Sequence, residues 1–185
     1  MSTSSKLAFF YFDFQRPTEH DVTLLLRSLL RQICADNVEV PTAVQELYTK
    51  YNQTGHQPST KDFESAFLSV VDLGKDIYII LDALDEVPEN TGKSKRVEVL
   101  KLIEKFVALK RPNLHILATS RDESDIRSRL GPLSNGGILI QGSTVDEDIR
   151  KYVRSSLAED DRLRKLEPRL KDMIEKTLGE KAKGM

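Results

Sequence analysis

DIYIILDALDE, residues 76–86, sets five apolar residues in a row and then three acids within five positions. Ile77 to Leu81 are β-branched, aromatic or aliphatic, and the run stops sharply at Asp82. Such a short, continuous apolar run predicts a buried strand. In an open parallel sheet, ligands sit beyond the carboxyl ends of the strands. An acid that closes a buried strand is therefore placed where a ligand is held.

The flanking sequence alternates between strand and helix signals. Leu7 to Phe14, LAFFYFDF, reads as another buried strand. A helix is expected to open at Pro17 and Thr18, with Val22, Leu25, Leu26, Leu29, Leu30 and Ile33 on one stripe. A shorter helix starts at Pro41 and Thr42, where Thr42 and Gln45 have capping-box spacing. Residues 52–59 are polar, with a glycine and a proline, and read as a loop. Phe63, Ala66, Phe67, Val70 and Val71 form a third stripe that ends before Gly74. Beyond DIYIILDALDE come a helix through Val99, Leu102, Ile103, Phe106 and Val107, then a strand from Leu114 to Ala118. A short helix over 125–130 and a fourth strand from Ile138 to Ile140 complete the alternation. This order predicts an α/β fold whose mostly parallel sheet is covered by helices on both faces, a three-layer arrangement.

After Gly142 the pattern becomes wholly helical. Ile149, Tyr152, Val153 and Leu157 share one face, and Leu166, Leu170, Met173, Ile174 and Leu178 share another. The expected division is a core over 1–143 and the start of a helical appendage over 144–185.

Composition narrows the function classes. Of 185 residues, 39% are hydrophobic and 31% charged, the balance of a globular domain. A net charge of −1 offers no basic excess for nucleic acid or an anionic membrane surface. No apolar run approaches the roughly 20 residues that span a bilayer. Cys34 is the single cysteine and has no partner for an internal disulfide, so a buried apolar role and a cytoplasmic location are expected.

The chemistry rests on two segments. A metal–nucleotide site needs an acid that holds Mg²⁺ at the phosphates, and Asp82 fits that role. A further acid orients or activates the attacking water, and Asp85 and Glu86 stand at the right spacing. The second segment is LHILATSR, residues 114–121, a strand that ends in small polar residues and a cation. If the strands are parallel, Arg121 lies at the same edge as Asp82 and can meet a γ-phosphate. Plainer readings stand beside these. Acids favour turns, so any strand can end in Asp. Arg121 can equally be a surface arginine or a partner for Asp122 or Asp85. His20, His56 and His115 are far apart in sequence, and His115 reads as a packed strand residue.

Together, LAFFYFDF with the LLRSLLRQI helix, IYIILDALDE, LHILATSR and the tail VDEDIRKYV resemble the NACHT domains of STAND-type P-loop NTPases. The likeness is to the fungal form, often joined to ankyrin repeats and described as nephrocystin 3-like N-terminal domains. It implies a nucleotide switch with Mg²⁺ and ATP or GTP as cofactors. Asp82 matches the Mg²⁺-linked Walker B acid, Asp85 and Glu86 match the further acids associated with hydrolysis, and Arg121 matches the sensor position. The implied partners are other NACHT-type proteins, with no nucleic acid and no membrane.

The same resemblance implies a missing part. The Walker A motif, G-x-x-x-x-G-K-[ST], uses backbone N–H groups and a lysine to cradle phosphates. In the family it precedes the strand matched by Leu7 to Phe14, where this sequence has only Met1 to Lys6. Gly92-Lys93-Ser94 spells its ending, but Val87 occupies the place of the first glycine, and the segment reads as a loop with a helix cap. The expectation is a truncated P-loop NTPase-like sheet of three or four strands without its Walker A strand, unable to hydrolyse ATP or GTP alone. A non-enzymatic module that associates with full-length relatives is the alternative. A Mg²⁺-dependent hydrolase using Asp82 and Asp85 is a third reading. A haloacid dehalogenase-like site wants acids two apart, and these are three apart.

Overall fold

The computed structural model describes residues 5–15, 21–35, 40–89, 94–138 and 143–182. The chain divides into two compact units, Met1–Asn135 and Gly136–Met185. In the first, β1 (Lys6–Tyr11), β2 (Ile77–Asp82) and β3 (Leu114–Ala118) form one parallel sheet in the order β1-β2-β3. The register sets Ala8 beside Ile79, Ile79 beside Ile116, and Tyr11 beside Asp82.

Helices α1 (Val22–Ala35), α2 (Thr42–Thr54) and α3 (Thr60–Val71) lie between β1 and β2, and α4 (Lys95–Ala108) lies between β2 and β3. Both crossovers step across the sheet in the same direction. Right-handed connections then carry all these helices to one face. The burial agrees. Ala8, Ile77, Ile79 and Leu81 are buried in one cluster with Leu25, Leu26 and Leu29 of α1, Phe67 of α3, and Leu100 and Phe106 of α4. The Phe67 and Phe106 rings stack with centroids 4.8 Å apart.

On the opposite face the strands are open among the described residues. Leu7 (57%), Phe9 (44%), Tyr11 (62%), Tyr78 (45%) and Leu117 (59%) are exposed there. The register places them together, because partners across a parallel pair point to the same side. His115, expected to be packed, sits on this exposed face, stacked on Tyr78 at 4.5 Å with Nε2 3.4 Å from Asp76 Oδ1.

Several boundaries differ from the sequence reading. β1 ends at Tyr11 rather than Phe14, since the Gln15 N–H turns back to Asp13 Oδ1 at 2.9 Å. α1 starts at Val22, capped by Asp21, which takes the Thr23 N–H on its carboxylate at 2.8 Å. Pro17 and Thr18 lie outside the described residues. The Thr42–Gln45 capping box does not form. Pro41 is the N-cap without a side-chain bond, and Gln45 Nε2 donates to the Val40 carbonyl at 2.8 Å. The capping box that does form is Ser59 with Asp62, at the start of α3.

After β3 come α5 (Ser124–Leu130) and a 3-10 turn, Gly131–Leu133. The expected fourth strand has no counterpart at Ile138, which is 93% exposed, and Leu139 and Ile140 lie outside the described residues. Among the described residues no strand pairs with the outer edge of β3. The second unit holds α6 (Ser143–Glu159), a 3-10 turn Leu163–Lys165, and α7 (Pro168–Ala182). Arg154 of α6 and Glu175 of α7 form a close ion pair at 2.6 Å. No helix among the described residues is long and apolar enough to cross a membrane.

Candidate functional site

The carboxyl ends of β2 and β3 bring the two sequence segments together. Their last ladder bond runs from the Thr119 N–H to the Leu81 carbonyl at 2.9 Å. Just beyond it, Thr119 Oγ1 donates to Asp82 Oδ1 at 2.5 Å and accepts the Ala83 N–H at 3.0 Å. The Leu84 N–H then reaches the Thr119 carbonyl at 3.0 Å. These bonds follow from a sharp turn at Ala83, which adopts the left-handed conformation, φ 59° and ψ 52°. A non-glycine residue there carries strain and needs surrounding contacts to hold it. Thr119 supplies two of them.

The turn feeds a 3-10 segment, Leu84–Glu86, whose Leu84 side chain is buried. Asp85 is thereby swung toward β3. Its Oδ1 accepts the Arg121 N–H at 3.0 Å, and its Oδ2 lies 3.4 Å from Arg121 Nε. Glu86 turns the other way, and its Oε2 accepts the Phe14 N–H at 3.1 Å. All four residues singled out in the sequence, Asp82, Asp85, Glu86 and Arg121, therefore lie around one end of the sheet. Each of the three acids is engaged by a different neighbour.

Arg96 holds this arrangement from beneath. Its side chain is buried and donates to the Val87 carbonyl at 2.8 Å from Nε and to the Asp85 carbonyl at 2.6 Å from Nη2. Nη1 pairs with Asp125 Oδ1 of α5 at 3.4 Å. The guanidinium fork thus ties the acid-bearing turn to α4 and α5. Sequence reasoning passed over both Thr119 and Arg96. Thr119 lay inside the quoted LATSR segment. Arg96 left a usable sign, since it precedes Val99, Leu100 and Ile103 at three, four and seven positions and so shares their buried face.

The donors limit which metal this edge accepts. Among the described residues, no three His, Cys, Asp or Glu side chains are grouped to hold a metal ion. Magnesium usually keeps several waters and takes one or two carboxylates together with phosphate oxygens. Asp82 with the Thr119 hydroxyl fits binding of that kind, in which most ligands arrive with the phosphates, and does not fit a cage made by the protein. Two open hollows lie elsewhere. One of about 360 Å³ is lined by Arg150, Arg154 and Glu175, and one of about 410 Å³ by Gln45, Thr49 and Lys50. Cys34 is half-buried, and burial pushes its thiol pKa up, away from the reactive thiolate.

Comparison with known proteins adds one match. The family described as Nephrocystin 3, N-terminal, matches residues 1–121, which takes in β1, β2, β3 and Arg121. No curated protein and no solved structure matches the chain.

Proposed function

The chain belongs to the nephrocystin 3 N-terminal family, and from that premise we propose that it is a nucleotide-switch module of the NACHT kind that does not hydrolyse ATP or GTP alone. The observation that carries this reading is the shared edge at which Asp82 and Thr119 meet, with Arg121 two residues further along the same strand end. An acid for Mg²⁺ and a cation for phosphate at the carboxyl end of a parallel sheet are what a nucleotide contact there requires. The incompetence follows from the phosphate cradle. The 185 residues contain no G-x-x-x-x-G-K-[ST] run. Ser94, which ends the nearest imitation, is the N-cap of α4, with Oγ accepting the Val97 N–H at 3.4 Å. A cytoplasmic location goes with this reading.

Calorimetry of the purified chain with ATP or GTP and Mg²⁺ tests it. The expected dissociation constant is weaker than about 1 mM, or about 4 kcal/mol. Micromolar binding overturns the incompetence and means that another element supplies the phosphate contacts.

A second reading has its own observation. The exposed face of Leu7, Phe9, Tyr11, Tyr78 and Leu117 adjoins the outer edge of β3, with which no strand pairs among the described residues. Large side chains offer roughly 150–250 Å² each, so the patch exposes about 500 Å², near the upper range for a monomer. That falls short of the roughly 800 Å² per partner of a stable interface. We therefore propose weak association with NACHT-type proteins, including second copies of this chain. Sedimentation over a hundredfold concentration range tests it. Association that ignores nucleotide supports the reading, and a monomer throughout sinks it.

A further inference from the structure

Asp85 occupies the position from which a second acid would act on water, yet its surroundings give it another task. Its side chain is only 12% exposed, while that of Arg121 is 76% exposed. One carboxylate oxygen takes the Arg121 backbone N–H, and the other faces Arg121 Nε. The peptide carbonyl of Asp85 is held by Arg96 Nη2 at 2.6 Å. The acid is therefore fixed through its backbone from one side and spends its carboxylate on the other. Arg121 is held at its main chain by a hydrogen bond and near Nε by an ion pair at 3.4 Å that lacks hydrogen-bond geometry. Its two terminal nitrogens make no hydrogen bond among the described residues.

We propose that Asp85 is a positioning residue for Arg121, aligning the guanidinium so that its outer nitrogens meet a phosphoryl oxyanion, and that it does not act on water. The inference deepens the nucleotide-switch reading of this edge and rests on it for the ligand. An arginine on a free surface loses side-chain freedom when it binds an anion. The Asp85 grip removes that freedom in advance. It is also directional, because a lysine carries its charge at the tip of its stem and not at the Nε position that Asp85 faces.

The test uses the whole chain, labelled with ¹⁵N. The Arg121 Nε–H resonance is assigned by its disappearance in Arg121→Lys. Asp85→Asn is expected to speed hydrogen exchange at Nε–H about threefold, the size of one largely exposed ion pair. Asp82→Asn is expected to leave that exchange at the wild-type rate. Inorganic pyrophosphate is then titrated as the probe. It is expected to shift the Arg121 signal, with a dissociation constant several-fold weaker in Asp85→Asn. Arg121→Lys, at an exposed side chain, keeps the charge without the Nε–H and is expected to weaken pyrophosphate by a similar factor. Unchanged exchange in Asp85→Asn overturns the proposal. So does an Arg121 signal indifferent to pyrophosphate, or a lysine that binds it as well as arginine does. Micromolar ATP binding by the wild-type chain would end the incompetence reading and leave this coupling intact, so the two failures are distinguishable.

Discussion

The two faces of the sheet are built from the same three strands, and alternate residues are comparably apolar, yet they meet opposite fates. Ala8, Ile77, Ile79 and Leu81 are buried beneath helices, while Leu7, Phe9, Tyr78 and Leu117 stand exposed. Residue hydrophobicity does not separate them. Connection handedness does. The sheet grows from β1 to β2 to β3 without changing direction, so right-handed crossovers deliver each helix to the same side. A covering layer on the other side needs a connection that steps the opposite way.

This contrast sets the scale for substitutions. Ile79→Ala, on the covered face of the central strand, is expected to cost about 3–4 kcal/mol, the transfer term plus a cavity that neighbours on two strands and the helices cannot close. Urea unfolding measures it, and a loss under about 1 kcal/mol would mean that the covered face is not the stabilising one. Arg96→Met comes next, at about 2–3 kcal/mol. It keeps the stem's packing but strands the Val87 and Asp85 carbonyls and the Asp125 carboxylate that Arg96 serves. A smaller loss in the same assay would show that water replaces the guanidinium at this turn.

The α/β class, the parallel sheet and the following helices were legible in the sequence, because IYIIL, LHILA and the helical stripes carry strong periodicities. The bare face was not. A strand such as Ile77 to Leu81 is apolar at every position, so its sequence reads alike whether one side or both are covered. The cap at α2 failed for a local reason. Pro41 takes the N-cap position with φ −54° and leaves Thr42 inside the first turn, whereas Ser59 stands one residue before α3. At the site, the sequence placed Asp82 and Arg121 at one edge, and their meeting there needs only parallel strands. The pairing of Asp85 with Arg121 stood open beside a surface arginine and a pairing with Asp122. Its geometry depends on the positive φ of Ala83, for which alanine gives no sign, as glycine or asparagine would.

A smaller effect is expected where polar contacts tie the rim of the covered side. The Asp62 carboxylate takes hydrogen bonds from Ser59 and from Tyr51 Oη at 2.7 Å, which hold it well below the usual carboxylate range. Lys50 Nζ adds an ion pair at 3.2 Å. A depressed folded-state pKa contributes stability that is present above the unfolded value, about 3.9, and is lost as pH falls through the folded value. Acidification below about pH 4 should therefore loosen the joint between α2 and α3. Asp62→Asn should lower the thermal midpoint at pH 7 and flatten its fall in acid. A mutant that tracks the wild-type acid profile would remove Asp62 from the account.

The smallest effect on stability is expected on the bare face, and it is the most informative. Leu117→Thr removes an apolar side chain that is already in water. It places a β-branched residue on an edge strand, where such residues are favoured. Stability should change by no more than about 0.5 kcal/mol, the range of an ordinary surface substitution. If the face mediates weak association, the same change should raise the concentration at which sedimentation departs from a monomer, without altering the unfolding midpoint of dilute protein. A loss comparable to that of Ile79→Ala would mean that Leu117 is covered in solution, and the distinction between the two faces would fall. An unchanged midpoint with unchanged association would leave the distinction standing and take this face out of partner binding.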